Sequence, residues 1–303
     1  MSKGYGSAHG KIILIGEHAV VYGYKAIALP LLTGVVETTV EEAQRFYFES
    51  TLYEGLLETS PKALEAIRRL VFELQKQHAL PPLKITVSTN LAPYAGLGFS
   101  AALASSIVQA VYDYRKLPLD DETHFHWTQF SEKIAHGNPS GIDATLVMSE
   151  QPLIFQKGQQ TQEVNFNLNG YLIIGNSGIR GETKKAVDHI AKMHSTYQDT
   201  LNALGDLTED MIHYIQKKNL KAIGNAISKA HRFLTLMSVS HPMLEEMIED
   251  ALTKDALGAK LSGGGLGGAV IAITNRHDTA KNIKESWEQI SNKEAWILPL
   301  KAV

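Results

Sequence analysis

The sequence predicts an α+β fold built as two layered lobes, and three stretches carry that prediction. Residues 83–91 (LKITVSTNL) alternate Leu83, Ile85 and Val87 with Lys84, Thr86 and Ser88, the two-residue period of a half-buried strand. A loop with two glycines follows, and then 101–114 carries small and apolar residues at helical spacing without a breaker. The stretch 257–274 (LGAKLSGGGLGGAVIAIT) reads as strand, glycine loop, strand, and 61–78 sets Leu64, Ile67, Leu70, Val71 and Leu74 on one face of a helix. At 303 residues the chain exceeds what one hydrophobic core commonly supports, about 250–300 residues. Two lobes are therefore expected, 1–168 and 169–303.

The remaining elements follow in order. Residues 11–15 read as a first strand and GEHAVVYG as a turn after it; 26–32 and 34–41 read as two further strands and 45–49 as an edge. A helix is expected over 125–135, ended by Gly137, Asn138, Pro139 and Gly141. Residues 146–155, 162–168 and 171–175 look like strands. In the second lobe NSGIRGETKKAV leads into a helix, with more helices over about 206–230 and 242–253, a helix at 280–290 and a last strand at 294–300.

Composition excludes several classes. A formal net charge of −3 gives no electrostatic basis for binding nucleic acid or an anionic membrane. With no cysteine there is no disulfide, thiolate metal site or thiol nucleophile. The apolar run 12–15 is stopped by Gly16, Glu17 and His18, too short for a signal peptide or a membrane span. A soluble, cytoplasmic protein is expected.

The chemistry concentrates at glycines and carboxylates. A helix that opens out of a glycine loop presents unpaired N–H groups and the positive end of its dipole, and Gly96 and Gly98 clear side chains from an anion's path. Ser100 can cap that helix or add a hydroxyl donor. An ordinary strand-to-helix turn explains the same two glycines. The run GGGLGG (263–268) formally matches a dinucleotide fingerprint, but a strand follows it where a helix is required, and no Walker A loop is present. Its backbone is free to lie against a phosphate or against the first loop. Glu132 and Asp143 converge if the segment between them doubles back, giving one carboxylate for Mg²⁺ and one for a substrate hydroxyl; as surface or capping groups they need no such explanation. Lys11 opens an apolar strand, where its ammonium either faces a lobe interior or snorkels to solvent. His18 beside Glu17 lacks any zinc-ligand spacing.

Four stretches together resemble the motifs of the GHMP small-molecule kinases, the family of galactokinase and of the homoserine, mevalonate and phosphomevalonate kinases. They are GKIILIGEHAVVYG (10–23), PYAGLGFSAA (93–102), EKIAHGNPSGIDA (132–144) and KLSGGGLGGA (260–269). GEHAVVYG with IAHGNPSGIDA is similar to the members that phosphorylate mevalonate, the bacterial type by length, and NSGIRGETKKAV (176–187) adds to that likeness. The resemblance implies a two-lobed GHMP kinase architecture, with a ribosomal-protein-S5-like N-terminal lobe and a ferredoxin-like C-terminal lobe. It implies ATP and Mg²⁺ as cofactors, mevalonate as the small-molecule substrate, and 5-phosphomevalonate as product. No nucleic-acid or membrane partner is implied; a homodimer is, although the residues themselves leave the oligomeric state open.

By that resemblance Asp143 stands beside the acceptor hydroxyl as general base or electrostatic partner, and Lys11 neutralises charge on that hydroxyl and on the γ-phosphate. Glu132 matches a magnesium ligand, with Ser100 as a second. Gly96, Leu97, Gly98, Phe99, Ser100 and Ala101 fall in the phosphate loop, and Glu17, His18 and Thr183 match substrate-pocket positions. One motif departs from the family, whose usual form is Pro, three residues, then Gly-Leu-Gly-Ser-Ser-Ala-Ala. Here only Tyr94 and Ala95 separate Pro93 from Gly96, the loop has no basic residue, and Phe99 stands where the first serine is expected. Two other readings stay open beside mevalonate phosphorylation: another small alcohol or phosphoalcohol as acceptor, such as homoserine, a sugar or phosphomevalonate, and a nucleotide-binding relative with weakened catalysis.

Overall fold

The structure, a computed structural model, describes residues 2–137 and 139–301; Asn138, one of the helix-ending residues named above, lies outside the described residues. The chain forms two compact units that are interleaved in sequence. The first comprises 2–11, 30–93 and 98–150, and the second 12–29, 94–97 and 151–301. Two long strands, β1 (Lys3–Ile15) and β2 (Ala26–Glu42), run through both.

In the first unit β3 (Tyr47–Glu49), β4 (Glu54–Leu56) and β5 (Leu83–Thr89) join β2 in the order β4-β3-β5-β2. β5 runs antiparallel to β2 from Val36↔Thr89 to Glu42↔Leu83, and parallel to β3. The alternation in β5 works as read: Leu83, Ile85 and Val87 are buried, while Lys84, Thr86 and Ser88 are not. The α-helices of this unit among the described residues are α1 (Glu65–His78), α2 (Phe99–Arg115), α3 (Asp121–His136) and α4 (Ile142–Leu146). Ala101 to Val108 of α2 are all buried, and α3 packs against both α2 and α1. Asp120 caps α3, accepting the Thr123 N–H at 2.7 Å.

In the second unit β6 (Leu153–Phe155) pairs with the opening residues of β2, Ala26–Ala28, and with β7 (Gln162–Glu163). A four-stranded antiparallel sheet follows the order β11-β8-β10-β9. Its strands are β8 (Tyr171–Asn176), β9 (Gly258–Ser262), β10 (Ala269–Thr274) and β11 (Ala295–Pro299). The helices are α5 (Thr183–Lys192), α6 (His194–Gln216), α7 (Leu220–Leu236), α8 (Pro242–Thr253) and α9 (His277–Ser291). Trp287 of α9 is fully buried, and its indole N–H donates to the Met247 carbonyl at 2.7 Å. No helix among the described residues is long and apolar enough to cross a membrane.

Several elements differ from the sequence expectation. β1 begins eight residues early, through a polar, glycine-rich segment, because the backbone itself packs against α2. A Cβ on Gly4 or Gly6 would lie 2.1 or 2.0 Å from the carbonyl oxygens of Ala110 and Ser106. The expected strands at 26–32 and 34–41 are one strand, β2, uninterrupted at Gly34. The expected strand at 146–155 is mostly not a strand: α4 occupies its start, and β6 keeps only the last three residues. The helix expected over about 206–230 is divided between α6 and α7 at a turn where Lys218 takes φ 53°, with neither glycine nor proline to mark it.

Candidate functional site

The first unit gathers one cluster of charge. Lys11 is only 4 % exposed, and its Nζ lies 2.5 Å from Oδ1 of Asp143, in the first turn of α4. Its stem crosses Gly98, where a Cβ would stand 2.8 Å from Lys11 Cγ, so a residue without a side chain is required there; φ at Gly98 is +81°. Glu132, near the end of α3, is 2 % exposed, and its Oε1 has no hydrogen-bond partner among the described residues. Burial pushes the Glu132 carboxyl above its usual range. Asp143 pushes the same way, and His136, the Ser100 hydroxyl and Lys11 oppose it. The two carboxylates therefore do converge, with Lys11 and Ser100 beside them. A buried carboxylate with an unused oxygen and a neighbouring hydroxyl is a donor set that suits a hard cation.

The start of α2 adds anion donors. Gly98 is the N-cap residue, and no side chain among the described residues caps the helix. Ser100 thus lies inside the first turn and is not the cap, a correction to one of its two expected uses. The N–H groups of Phe99, Ser100 and Ala101 donate to no acceptor among the described residues, the condition under which a helix start attracts phosphate. Because these donors are backbone, Phe99 costs the loop little, and the hydroxyl of Ser100 already faces Glu132. Phe99→Ser is expected to change kcat/KM for ATP by less than about threefold, ~0.7 kcal/mol. Steady-state kinetics check this, and a tenfold gain would mean that a needed hydroxyl is missing.

The second unit gathers Glu17, His18 and Thr183 around its glycine loop. Glu17 is buried and ion-paired with Lys260 of β9, which is fully buried; one oxygen of Glu17, Oε2, has no partner among the described residues. His18, at φ 61°, donates its Nε2–H to the Gly264 carbonyl at 3.0 Å. Gly264 in turn lies against Thr183, with a would-be Cβ 2.5 Å from Thr183 Oγ1 and 2.6 Å from its Cα. Tyr94 to Leu97 lie in this unit, and the two glycine loops meet backbone to backbone. The Gly96 carbonyl faces Gly263 and the Ala95 carbonyl faces Gly268, each within 3.4 Å of where a Cβ would be. GGGLGG thus packs against the first loop, one of the two uses open to it. Ser262 pins the neighbouring strand, donating to the Ile13 carbonyl at 2.8 Å and accepting from its N–H at 3.1 Å.

Burial holds His18 neutral, with its pKa lowered to about 4. The unfolded chain binds a proton near pH 6.5 and the folded one does not, so this contribution to stability is complete above that pH and is lost as the pH falls toward 4. The loss approaches ~3 kcal/mol. His124 and His231 are lowered by burial as well and act in the same direction. Denaturant unfolding from pH 7 to 4.5 should show a shallower pH slope for His18→Asn than for the native chain; an unchanged slope would remove His18 as a source.

Lys260 was not singled out in the sequence. The signal for Lys260 was the one used for Lys11, a lysine inside an apolar strand.

Two family models match the chain: GHMP kinases N terminal domain over residues 62–150, and GHMP kinases C terminal over 211–293. A mevalonate kinase of Thermococcus sibiricus is 30 % identical over 301 residues, covering 88 % of this chain and 88 % of the relative. One from Aeropyrum pernix is 27 % identical over 305 residues, covering 94 % and 93 %. The crystal structure of mevalonate kinase from methicillin-resistant Staphylococcus aureus superposes with a TM-score of 0.76 at 31 % identity, covering 100 % of both chains.

Proposed function

The chain belongs to the GHMP kinase family, and from that premise we propose that it transfers the γ-phosphoryl group of ATP to the primary hydroxyl of mevalonate, giving 5-phosphomevalonate and ADP. The observation that carries the chemistry is the pairing of buried Lys11 with half-buried Asp143 beside Glu132 and its unpartnered oxygen. The likeness to mevalonate kinases along nearly the whole chain favours mevalonate over homoserine, sugars and phosphomevalonate as acceptor.

Phosphoryl transfer asks a protein mainly for positioning and for charge neutralisation. As the acceptor oxygen bonds to the γ-phosphorus and the bond to the β-phosphate oxygen breaks, Asp143 takes the hydroxyl proton and Lys11 offsets the charge developing on the attacking oxygen. The free amides of Phe99, Ser100 and Ala101 hold phosphate oxygens. Glu132 and Ser100 would hold magnesium, which when bound spreads the charge of the phosphates. His18, neutral and with its Nε2 proton committed to Gly264, keeps Nδ1 as an acceptor, which suits it to a substrate hydroxyl. Thr183 supplies a hydroxyl beside the same loop.

A coupled assay of ADP release across mevalonate, homoserine, galactose and phosphomevalonate tests the reading. Mevalonate should give the highest kcat/KM; a clear preference for another alcohol would overturn the acceptor assignment.

A further inference from the structure

The shortened phosphate loop carries an unusual residue. Tyr94 adopts φ 61°, a left-handed conformation that costs a bulky side chain energy and persists only where its surroundings impose it. Two contacts do so. The Tyr94 carbonyl accepts the Gly181 N–H at 3.2 Å, and the guanidinium carbon of Arg180 sits 4.2 Å from the centre of the Tyr94 ring. Arg180 is exposed, and the Tyr94 ring is the described contact of its guanidinium, which has no carboxylate partner among the described residues.

The turn that holds Tyr94 is itself fixed to the second glycine loop. Gly268 donates its N–H to the Ile179 carbonyl at 2.8 Å, and Ser177 binds the Gly268 carbonyl through both its N–H and its hydroxyl, at 2.9 and 2.7 Å. The same Gly268 lies under the Ala95 carbonyl. Tyr94 is thus where the course of the first loop is tied to a rigid neighbour. The stretch 93–102 contains no basic residue of its own; Lys11 crosses it at Gly98, and Arg180 lies over the ring of Tyr94 at its entry.

We propose that Tyr94 is a positioning residue: its ring clasps Arg180 and fixes the entry of the shortened glycine loop, and that clasp sets the affinity for the nucleotide triphosphate. The inference rests on the kinase reading above and goes beyond it in assigning a role to a residue outside the family's usual loop pattern. A cation–π contact needs a ring face and not a hydroxyl, so tyrosine and phenylalanine are equivalent here. Glycine removes the ring and also frees the backbone, whereas Arg180→Met removes the clasp and leaves the backbone of Tyr94 as it is, so the two substitutions together separate the clasp from the loop's flexibility.

The test compares Tyr94→Phe and Tyr94→Gly by steady-state kinetics and by titration calorimetry with the magnesium complex of a non-hydrolysable ATP analogue. Tyr94→Phe should stay within about twofold of the native protein in every constant. Tyr94→Gly should raise KM for ATP and Kd for the analogue about fivefold, which at 1.4 kcal/mol per tenfold is ~1 kcal/mol, the size of an exposed cation–π contact. KM for mevalonate, kcat and the melting temperature should remain near native. Arg180→Met should raise the analogue's Kd by a similar factor, and adding Tyr94→Gly to it should raise it little further. Native affinity in Tyr94→Gly, an equal rise in both KM values, or additive effects of the two substitutions would overturn the proposal. Absence of mevalonate turnover in the native protein would count against the kinase reading instead, and the calorimetric arm would still decide the role of Tyr94.

Discussion

Asp143→Asn is expected to lower kcat by ~10²–10⁴, with KM for ATP and for mevalonate little changed. Asparagine keeps the shape of the side chain, but it cannot take the acceptor's proton or balance the lysine's charge. The loss therefore falls on the transition state and not on the ground state. Because Lys11 is nearly buried, the substitution also leaves an ammonium poorly compensated, so a melting curve belongs beside the kinetics. A folded variant with turnover within about threefold of native would remove Asp143 from the reaction.

Lys260→Met is expected to destabilise the second unit by ~3–5 kcal/mol, the usual cost of breaking a buried ion pair from one side. Lys260 is fully buried and ion-paired with Glu17, whose other oxygen already lacks a partner among the described residues, so losing the ammonium strands a buried carboxylate. Adding Glu17→Leu removes the stranded charge and should restore most of the loss, because an apolar pair fills the same space without the desolvation penalty. Denaturant titration of both single variants and the double variant measures the coupling. Simple additivity would mean that the pair contributes only through packing.

Much of this was legible before any coordinates, for physical reasons that differ from element to element. The alternation at 83–87 and the stripe from Leu64 to Leu74 are direct images of which side of a strand or helix faces the core, and both hold. The two glycine loops were readable because glycine runs mark places where backbone approaches backbone, as Gly96 and Gly263 do. The start of β1 was not readable for the same physical cause seen from the other side: at Gly4 and Gly6 it is the main chain that packs, so no apolar pattern records it. The turn between α6 and α7 uses Lys218 in a left-handed conformation, and a lysine gives no such warning. Pairings distant in sequence, Glu17 with Lys260 and Tyr94 with Arg180, depend on the fold itself. Lys11 and Asp143 were proposed separately from local pattern and family resemblance, and their 2.5 Å approach became visible only in three dimensions.

Phosphorus NMR of a mixture of ATP, magnesium and mevalonate tests the central claim most directly, because it shows where the phosphoryl group goes. The account predicts that the γ-phosphate resonance is replaced by a single phosphomonoester coupled to the methylene of mevalonate's primary alcohol, with equimolar ADP, and that Asp143→Asn gives almost none of it in the same time. Inorganic phosphate in place of the ester, or ester formed equally by both proteins, would contradict it.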